Sequence, residues 1–386
     1  MVEYSGISGM YSYTDALCEG LSRIGADVTV LTSSAWPEKI RPFKVERQLL
    51  AFTSEQGNFS KLHWATDRFF RSMVNINRRN KFAVKGNFDV VHIQGASLPL
   101  LDQFFLKPLA KNVPVVLTVH DVRSHYERFV NRDSFIKRNL QIPHRLIVHY
   151  ENGGKQLAEH WKVSTEKIAV IPHGIILAEN LPEKQKARVK LDIPTDRPVL
   201  LFFGSIRPNK GLDVLLAALE KVRSRYPKVL LIIAGAIPRG MSFEPYSDII
   251  KKLNFSENVK LFIGFVPDDD VDYFMSACDI VVLPYSKFEA QSGVLLRAYA
   301  HEKPVVVTNT GAMGELVSSD KVGLVVEPGD KKSLAEAIIN VLDNPEKFRS
   351  CYNPKLNAKY DWGHIAELTL QSYEKVIENR LQRRGC

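Results

Sequence analysis

Two cations lie in a short loop before a predicted helix, where their charge could bind an anion. The segment 199–219 reads VLLFFGSIRPNKGLDVLLAAL: an apolar strand ends at Gly204, the loop carries Arg207 and Lys210, and a helical pattern begins near Gly211. A helix N-terminus disfavours cations and attracts anions through its dipole and free N–H groups. The segment therefore predicts a phosphate site, and the alternative is a solvated turn with two accidental basic residues.

Other candidate residues follow predicted strands, at the edge where open α/β sheets bind ligands. Ser292 and Gly293 begin a helix after a strand, which predicts a second anion-binding helix N-terminus. Glu289 precedes that helix, where its carboxylate could accept sugar hydroxyls or cap the helix. His120 follows a buried strand and could face a cleft between domains. We expect structural roles for the other histidines that follow or lie in strands: His92, His149 and His173.

Composition and residue spacing narrow the classes of protein that fit. The 386 residues are 45% hydrophobic and 25% charged, which is typical of a globular chain with more than one hydrophobic core. The four cysteines are far apart, and no histidine spacing matches a metal site or a nucleophilic triad, so we expect metal-independent chemistry. Because no signal peptide or apolar span is evident, we expect a cytoplasmic protein.

Basic charge is concentrated in residues 60–86. The net charge of +9 favours an anionic partner, and this segment interleaves cations with aromatic and aliphatic residues. It predicts a basic amphipathic helix that either lies on an anionic membrane surface or packs by its apolar face and leaves a solvated basic face. No nucleic-acid-binding motif accompanies the charge, so we expect no nucleic-acid partner.

Strand and helix patterns alternate along both halves of the chain. Apolar runs such as VPVVLTV predict parallel strands covered by helices on both faces. We predict a doubly wound domain over residues 1–178, whose first strand at Met1 and Val2 looks truncated, so that the natural start could lie upstream. A second Rossmann-like domain is predicted over 179–359, beginning with a polar linker, and a terminal helix over 360–386. Residues 35–58 predict a loop-rich excursion.

The predicted strands fall into two series. Those of the first half are Asp27–Leu31, Phe88–Ile93, Val113–Val119, His144–Val148 and Ile168–Ile171. Those of the second half are Val199–Phe203, Val229–Ala234, Val259–Ile263, Asp279–Leu283, Pro304–Thr308 and Gly323–Val326.

Taken together, these segments resemble the retaining glycosyltransferases of the GT-B fold, specifically family 4. The matching pieces are the glycine loop with its helix and DVTVLT, then FDVVHIQ, VPVVLTVHD, KIAVIPHG, LFFGSIRPNKGLDVLLAAL, NVKLFIGFVPDDDVDYFMSACDIVVLPY, EAQSGVLLRAYAHEKPVVVTNTGAMGELV and GLVVEPGD. The resemblance implies two Rossmann-like domains facing each other across a cleft. It further implies an acceptor on the first domain, a nucleotide sugar on the second, and a C-terminal helix that crosses back to the first domain.

The resemblance also implies roles for individual residues. Arg207 and Lys210 match the pair that holds the donor diphosphate and neutralises charge on the leaving nucleotide. Glu289 matches the first glutamate of the E-x7-E motif, which orients the transferred sugar, and His120 matches a histidine beside that sugar. Gly9 matches a loop that approaches the diphosphate. The remaining implied donor-binding positions are Gly264, Phe265 and Val266 near the base, and Ser292, Gly293 and Val294 near the phosphates and sugar.

Arg297 departs from the family pattern. It stands where the motif has its second glutamate, which usually binds the ribose hydroxyls, and an obligate donor there reverses the local electrostatics. Three consequences are open: Arg297 pairs with Glu289 or a donor phosphate, the nucleotide preference shifts, or donor binding is impaired.

The resemblance leads us to expect an active enzyme. It would transfer a sugar from a nucleotide sugar, UDP- or GDP-linked, to a glycan or lipid-linked acceptor, with retention and without a metal or other cofactor. The basic segment suggests work at the inner membrane face, in polysaccharide or glycolipid synthesis. The competing hypothesis is a catalytically silent homologue that binds a nucleotide or glycan as a partner subunit.

Overall fold

The chain divides into two compact α/β units. A computed structural model describes residues 1–6, 8–52, 61–95, 102–122, 133–176, 181–288 and 291–384. Unit 1 consists of Met1–Gly174 and Lys359–Cys386, and unit 2 consists of Ile175–Ala358. The first division thus falls after Gly174, four residues before the boundary that the sequence predicted.

The first part of unit 1 alternates strands and helices. Its elements are α1 (Ser8–Arg23), β1 (Thr29–Ser33), β2 (Lys44–Leu49), α2 (Lys61–Lys85), β3 (Val91–Gln94), α3 (Asp102–Asn112), β4 (Val115–Thr118), α4 (Asp133–Gln141), β5 (Arg145–Val148), α5 (Glu151–Glu159) and β6 (Ile168–Val170). Strands β3, β4, β5 and β6 form a parallel sheet in that order, and β1 pairs with β2 in parallel. The predicted first strand is reduced to Val2, which bridges both Leu31 and Ile93 and so lies between β1 and β3.

Strand β2 corrects the sequence prediction for residues 35–58. We expected a loop-rich excursion, but Lys44–Leu49 forms a strand whose residues pair with Thr29–Ser33. Its sequence, KVERQL, is mostly polar, and only Leu49 is buried. An edge strand of this kind lacks the apolar alternation on which strand prediction depends.

Unit 2 begins with a short helix and then alternates regularly. Its elements are α6 (Lys184–Lys190), β7 (Val199–Phe203), α7 (Leu212–Arg225), β8 (Leu230–Gly235), α8 (Glu244–Lys252), β9 (Val259–Ile263), α9 (Asp268–Ala277), β10 (Ile280–Leu283), α10 (Gly293–Ala300), β11 (Val305–Thr308), α11 (Met313–Asp320), β12 (Gly323–Val326), α12 (Lys331–Asp343) and α13 (Pro345–Arg349). The six predicted strands of this half are confirmed, with ends shifted by at most one residue.

The sheet of unit 2 explains why its strands are so apolar. The order is β12-β11-β10-β7-β8-β9, and every pairing is parallel. The central strands β7, β8 and β10 are almost wholly buried, as expected for parallel strands covered on both faces. Because β7 and β10 are neighbours, the segments that follow Phe203 and Leu283 leave the sheet side by side.

The last two helices are α14 (Pro354–Tyr360) and α15 (Trp362–Arg384), and α15 packs on α1. Ile365 and Ala366 are buried in the core of unit 1. A Cβ at Gly20 would lie 2.8 Å from the Trp362 carbonyl oxygen, so a side chain there would push the two helices apart. In the described part of the chain, no helix combines the length and apolar character needed to cross a membrane.

Candidate functional site

The loop after β7 is held tightly against the segment that follows β10. Gly211 adopts φ +68°, and a Cβ at this position would lie 1.9 Å from the Pro284 carbonyl oxygen, so the close approach requires glycine. The Ser286 backbone N–H donates to Asn209 O at 3.0 Å, and the Asn209 side-chain amide donates to Lys287 O. The position of Lys210 is therefore set by its neighbouring strand as well as by its own loop.

Lys210 lies against two aromatic rings. Its Nζ is 3.6 Å from the ring centroid of Tyr285 and 4.4 Å from that of Phe288, within the range of cation–π attraction. Desolvation, followed by repulsion from Arg207, lowers the pKa of Lys210 to about 8. Arg207 itself is exposed, and its Nε donates to Ser205 Oγ at 3.0 Å.

The N-terminus of α10 has a side-chain cap, Ser292, followed by an exposed glycine, Gly293. Ser292 caps the helix: its buried Oγ accepts the Leu295 backbone N–H at 3.4 Å. Apart from its chain neighbours and its own helix backbone, none of the described residues lies within 4 Å of where a Cβ on Gly293 would be. Because Gly293 has no side chain, a ligand has room to approach the first N–H groups of α10.

These two elements line one cavity of about 290 Å³ in unit 2. It contains five of the predicted donor-site residues: Lys210, Ser292, Gly293, Val294 and Arg297. Its other lining residues are Phe203, Asp268, Val271, Tyr285 and Phe288. A lysine and a helix N-terminus at one apolar-walled cavity make a site suited to phosphate groups. Glu289 lies outside the described residues.

Arg297 is ion-paired with helix α9. Its Nη2 is 3.2 Å from Asp268 Oδ1, and its Nη1 is 3.7 Å from Asp272 Oδ1. Asp272 also lies 3.0 Å from His301 Nε2. The sequence analysis missed Asp268 because a carboxylate in the first turn of a helix is already explained by the helix dipole. The pairing brings a carboxylate, Asp268, into the same cavity as Arg297.

The predicted base-binding segment follows β9. Gly264 adopts φ +147°, and its N–H donates to Gly235 O at 3.0 Å. The Phe265 side chain is 83% exposed, and Val266 is half-buried. None of the three lines the cavity itself, but the segment leads directly into Asp268, which does.

His120 lies within a cluster of histidines in unit 1. Its Nδ1 is 3.2 Å from His149 Nε2, and its Nε2 is 3.0 Å from the side-chain amide of Gln94. His149 Nδ1 lies 3.0 Å from the Ile171 carbonyl oxygen, which can only accept, so His149 donates there. Both ring nitrogens of His120 are thus engaged by protein groups.

Burial keeps this histidine cluster uncharged. Desolvation lowers the pKa of His92 and of His120 to about 3; smaller repulsion comes from the N-terminal ammonium and His149 for His92, and from His173 and His92 for His120. Desolvation also lowers the pKa of His173 to about 4 and that of His149 well below its usual value. His92, His149 and His173 each have a hydrogen-bond partner in the protein, as structural histidines should.

Gly9 is placed in the first turn of α1, not in the preceding loop as predicted. In the described part of the chain, a Cβ there would meet nothing within 4 Å. The loop before α1 is held by Glu3, which the sequence reasoning missed: its fully buried carboxylate accepts from the backbone N–H groups of Ser5 and Gly6 and from Thr32 Oγ1. A carboxylate with so many donors fixes the path of the chain into α1.

The basic helix predicted over residues 60–86 is confirmed as α2, with one correction. Arg79 is fully buried, donates to Asp102 Oδ1 at 2.9 Å and to the Tyr4 hydroxyl at 2.8 Å, and so belongs to the packed face. The exposed face instead carries Phe70, Lys81 and Lys85. The helix period could not identify Arg79 as buried, because its partner is on another helix.

A second cavity, of about 390 Å³, lies at the opposite edge of the unit 2 sheet. Its arginines already have protein partners: Arg188 donates to Ala277 O, Thr195 O and Asp279, and Arg197 donates to three backbone carbonyls. This cavity is larger than the one at Lys210, but its arginines already donate their hydrogen bonds to protein oxygens. It is therefore the weaker candidate for an anion site.

Two family models match the chain, one for each unit. The model for Glycosyltransferase Family 4 matches residues 7–179, and the model for Glycosyl transferases group 1 matches residues 183–356, which include the cavity. The chain belongs to the glycosyltransferases. The resemblance inferred from the sequence is confirmed at this level, and the two Rossmann-like units with parallel sheets are those of the GT-B glycosyltransferases.

Individual relatives are distant. A phosphatidyl-myo-inositol mannosyltransferase from Mycolicibacterium smegmatis is 25% identical over 376 residues, 95% of this chain and 90% of that protein. A D-inositol 3-phosphate glycosyltransferase from Kineococcus radiotolerans is 27% identical over 266 residues, 64% of this chain but only 60% of that protein. The crystal structure of Anabaena Alr3699/HepE in complex with UDP shares the fold, with a TM-score of 0.72 at 17% identity over 97% of this chain and 98% of that chain.

Proposed function

We propose that the protein transfers a sugar from a UDP- or GDP-linked donor to a glycan or lipid-linked acceptor, with retention of anomeric configuration. The observation that carries the proposal is the convergence of Lys210 and the α10 N-terminus on one cavity of about 290 Å³. An ammonium and free helix N–H groups together suit the two phosphates of a nucleoside diphosphate. Arg207, on the same loop, adds a cation from the solvent side.

Cleavage of the bond between sugar and diphosphate leaves negative charge on the departing nucleotide. In this proposal Lys210, Arg207 and the α10 dipole stabilise that charge as it develops, which is the role a divalent cation has in other enzymes. We therefore propose metal-independent transfer. Glu289 would orient the transferred sugar, and His120, whose ring nitrogens are engaged, would support the site rather than exchange protons.

The comparisons support the choice of ligand classes. The fold neighbour from Anabaena was crystallised with UDP, which favours a uridine nucleotide over guanosine. The two relatives described above are named for inositol acceptors, one of them a phosphatidylinositol. We infer that the acceptor is a polyol that carries phosphate or lipid, in glycolipid or polysaccharide synthesis.

The surface of unit 1 supports a peripheral membrane location. Phe69 and Phe70 on α2 and Phe104 on α3 are 51%, 64% and 62% exposed. Lys81 and Lys85 are exposed on the same stretch of α2. Exposed aromatic rings beside cations are typical of a helix that lies in an anionic lipid interface. We propose that α2 brings the enzyme to the cytoplasmic membrane face.

A silent nucleotide-binding homologue is the second candidate. It is favoured by Arg297, whose guanidinium is committed to Asp268 and Asp272 within the candidate site. Both candidates bind a nucleotide, so turnover of the sugar donor separates them.

The test is calorimetric titration with UDP, GDP and ADP, followed by assays for release of UDP or GDP from their sugars. We expect one nucleotide to bind, Lys210→Ala to weaken it at least tenfold, and slow donor hydrolysis by the intact protein. Lys228→Ala is the matched control, since Lys228 is exposed and paired with Asp196 outside the cavity. Binding without donor turnover would favour the silent homologue, and no binding to any nucleotide would overturn both candidates.

A further inference from the structure

We infer that Tyr285 is a positioning residue of the anion site: its ring seats the Lys210 ammonium while its hydroxyl contacts the cap of α10. Tyr285 would thus couple the position of the Lys210 ammonium to that of the α10 N-terminus. The inference rests on the proposed function for the identity of the anion, a nucleoside diphosphate.

Tyr285 is fixed in place from several sides. It is the second residue after β10, and its side chain is 1% exposed. Its carbonyl oxygen accepts a hydrogen bond from Thr308 Oγ1 at 2.6 Å. The residue before it, Pro284, is the one that Gly211 approaches so closely. Tyr285 is therefore anchored to the loop between β7 and α7 and to the end of β11, as well as to its own strand.

The ring of Tyr285 holds the ammonium without neutralising it. The distance from Lys210 Nζ to the ring centroid is 3.6 Å, and Phe288 packs edge-on against Tyr285 and covers the lysine from a second side. Within the part of the chain that the structure describes, no carboxylate forms an ion pair with Lys210. We call the rings of Tyr285 and Phe288 the aromatic seat of Lys210. Aromatic rings in this position orient a cation and leave its charge available to a ligand.

The hydroxyl of Tyr285 reaches the other half of the site. It lies 3.4 Å from Ser292 Oγ, the atom that caps α10. Desolvation raises the pKa of Tyr285 to about 12, so the hydroxyl stays protonated at neutral pH. A shift of Tyr285 would therefore disturb the lysine and the helix N-terminus together.

The seat makes ligand binding dependent on a proton. Lys210 faces the Arg207 guanidinium from its own loop, the rings of Tyr285 and Phe288, and across the cavity the Arg297 and Asp268 ion pair. Because Lys210 is partly deprotonated above its pKa of about 8, a bound diphosphate would raise that pKa and draw a proton from solvent.

The first experiment needs no ligand. Acetylation of Lys210 by acetic anhydride, followed by mass spectrometry as a function of pH, reports the pKa of its amine. We expect a midpoint near 8 in the intact protein and in Tyr285→Phe, and a midpoint shifted towards 10 in Tyr285→Ser, which admits water to the lysine. An unchanged midpoint in Tyr285→Ser would overturn the aromatic seat whether or not the protein binds nucleotides.

The second experiment measures binding of UDP and of inorganic pyrophosphate at pH 8.5 by calorimetry in two buffers of different ionisation enthalpy. We expect proton uptake on binding by the intact protein, its loss with at least tenfold weaker binding in Tyr285→Ser, and a threefold to tenfold weakening with uptake retained in Tyr285→Phe. Tyr299→Phe is the control: Tyr299 lies at the C-terminal end of α10, far from the cap, and its hydroxyl donates to Asp320 of α11. This variant should change neither the affinity nor the proton uptake.

The outcomes separate this inference from the proposed function. If UDP and pyrophosphate bind but Tyr285→Phe and Tyr285→Ser bind them as the intact protein does, the positioning role is wrong and the site stands. If neither ligand binds but the acetylation midpoint moves as expected, the proposed function is wrong and the seat stands. Should Tyr285→Ser not fold, Phe288→Ser at a half-buried position must raise the same midpoint, or the seat is wrong.

Discussion

Lys210 is a cation whose charge changes within the pH range of ordinary assays. It is held between aromatic rings, close to Arg207, and its pKa is lowered to about 8, mainly by desolvation. The proposed diphosphate site thus has a cation, Lys210, that is mostly protonated at neutral pH and largely deprotonated in mild alkali. Arg207, being a guanidinium, keeps its charge throughout.

We expect nucleotide affinity to fall as pH rises through 8. Lysine must be protonated to hold the phosphates, so binding is at its plateau below the pKa and weakens by up to about tenfold per pH unit above it. Calorimetric titration with UDP at pH 7, 8 and 9 measures this. Lys210→Arg should remove the decline, because the guanidinium stays charged. An affinity that is constant from pH 7 to 9 in the intact protein would contradict the prediction.

Arg297 allows a second prediction for a single residue. Its ion pairs are partly exposed, so Arg297→Gln should change the free energy of unfolding by less than about 1 kcal/mol. Since Arg297 and Asp268 both line the cavity, the same variant should change UDP affinity several-fold, measured by calorimetry. Arg225→Gln is the control, because that arginine forms a similar exposed pair with Asp343 outside the cavity. Equal UDP affinities for both variants and the intact protein would exclude Arg297 from the nucleotide site.

Single elements show which parts of the site a sequence can predict. The strand, glycine turn and helix around Lys210 were predictable because residues that are neighbours in the chain create the helix N-terminus. Strand and helix periods likewise identified β7 and α10. The ring of Tyr285 against Lys210, the Asp268 partner of Arg297 and the Asp102 partner of Arg79 could not be predicted, because each joins separate elements. Such pairs depend on which strands become neighbours, and the local pattern does not encode that order.

Helix α2 carries exposed cations and one fully buried arginine, Arg79, and mutating the two kinds should have different effects. Neutralising Arg78, Lys81 and Lys85 together should weaken co-sedimentation with anionic vesicles several-fold, because these side chains are exposed. Arg79→Met should instead lower the free energy of unfolding by about 3–5 kcal/mol, since it leaves the buried Asp102 without its partner. Vesicle binding that is absent, or unchanged in the triple variant, would remove the membrane role of α2.

At the scale of the whole molecule, unit 1 concentrates the buried histidines that should make its stability depend on acid. Unit 1 holds His92, His120 and His173, all with pKa values lowered to about 3 or 4 against about 6.5 in the unfolded chain. As the pH falls, each of these histidines is protonated in the unfolded chain at a higher pH than in the folded protein, which favours unfolding. Their stabilising contribution is therefore complete above pH 6.5 and is lost as pH falls towards 4.

We expect unit 1 to lose stability between pH 6.5 and 4, by about 1.4 kcal/mol per pH unit for each of these histidines. Tryptophan fluorescence during urea unfolding measures it selectively, because all four tryptophans belong to unit 1: Trp36, Trp64, Trp161 and Trp362. His92→Gln should reduce the slope, whereas His160→Gln, at an exposed position, should leave it unchanged. A midpoint of unit 1 that is independent of pH over this range would contradict the account.

The packing of α15 on α1 has a consequence for synthesis on the ribosome. Unit 2 is one continuous stretch of chain, but unit 1 lacks Ile365 and Ala366 of its core until α15 has been made. All of unit 2 is therefore synthesised before unit 1 is complete, although the larger part of unit 1 is made first. We expect a fragment of residues 175–358 to unfold cooperatively by circular dichroism. A fragment of residues 1–174 should do so only when a peptide of residues 359–386 is added, and cooperative unfolding without the peptide would refute this dependence on α15.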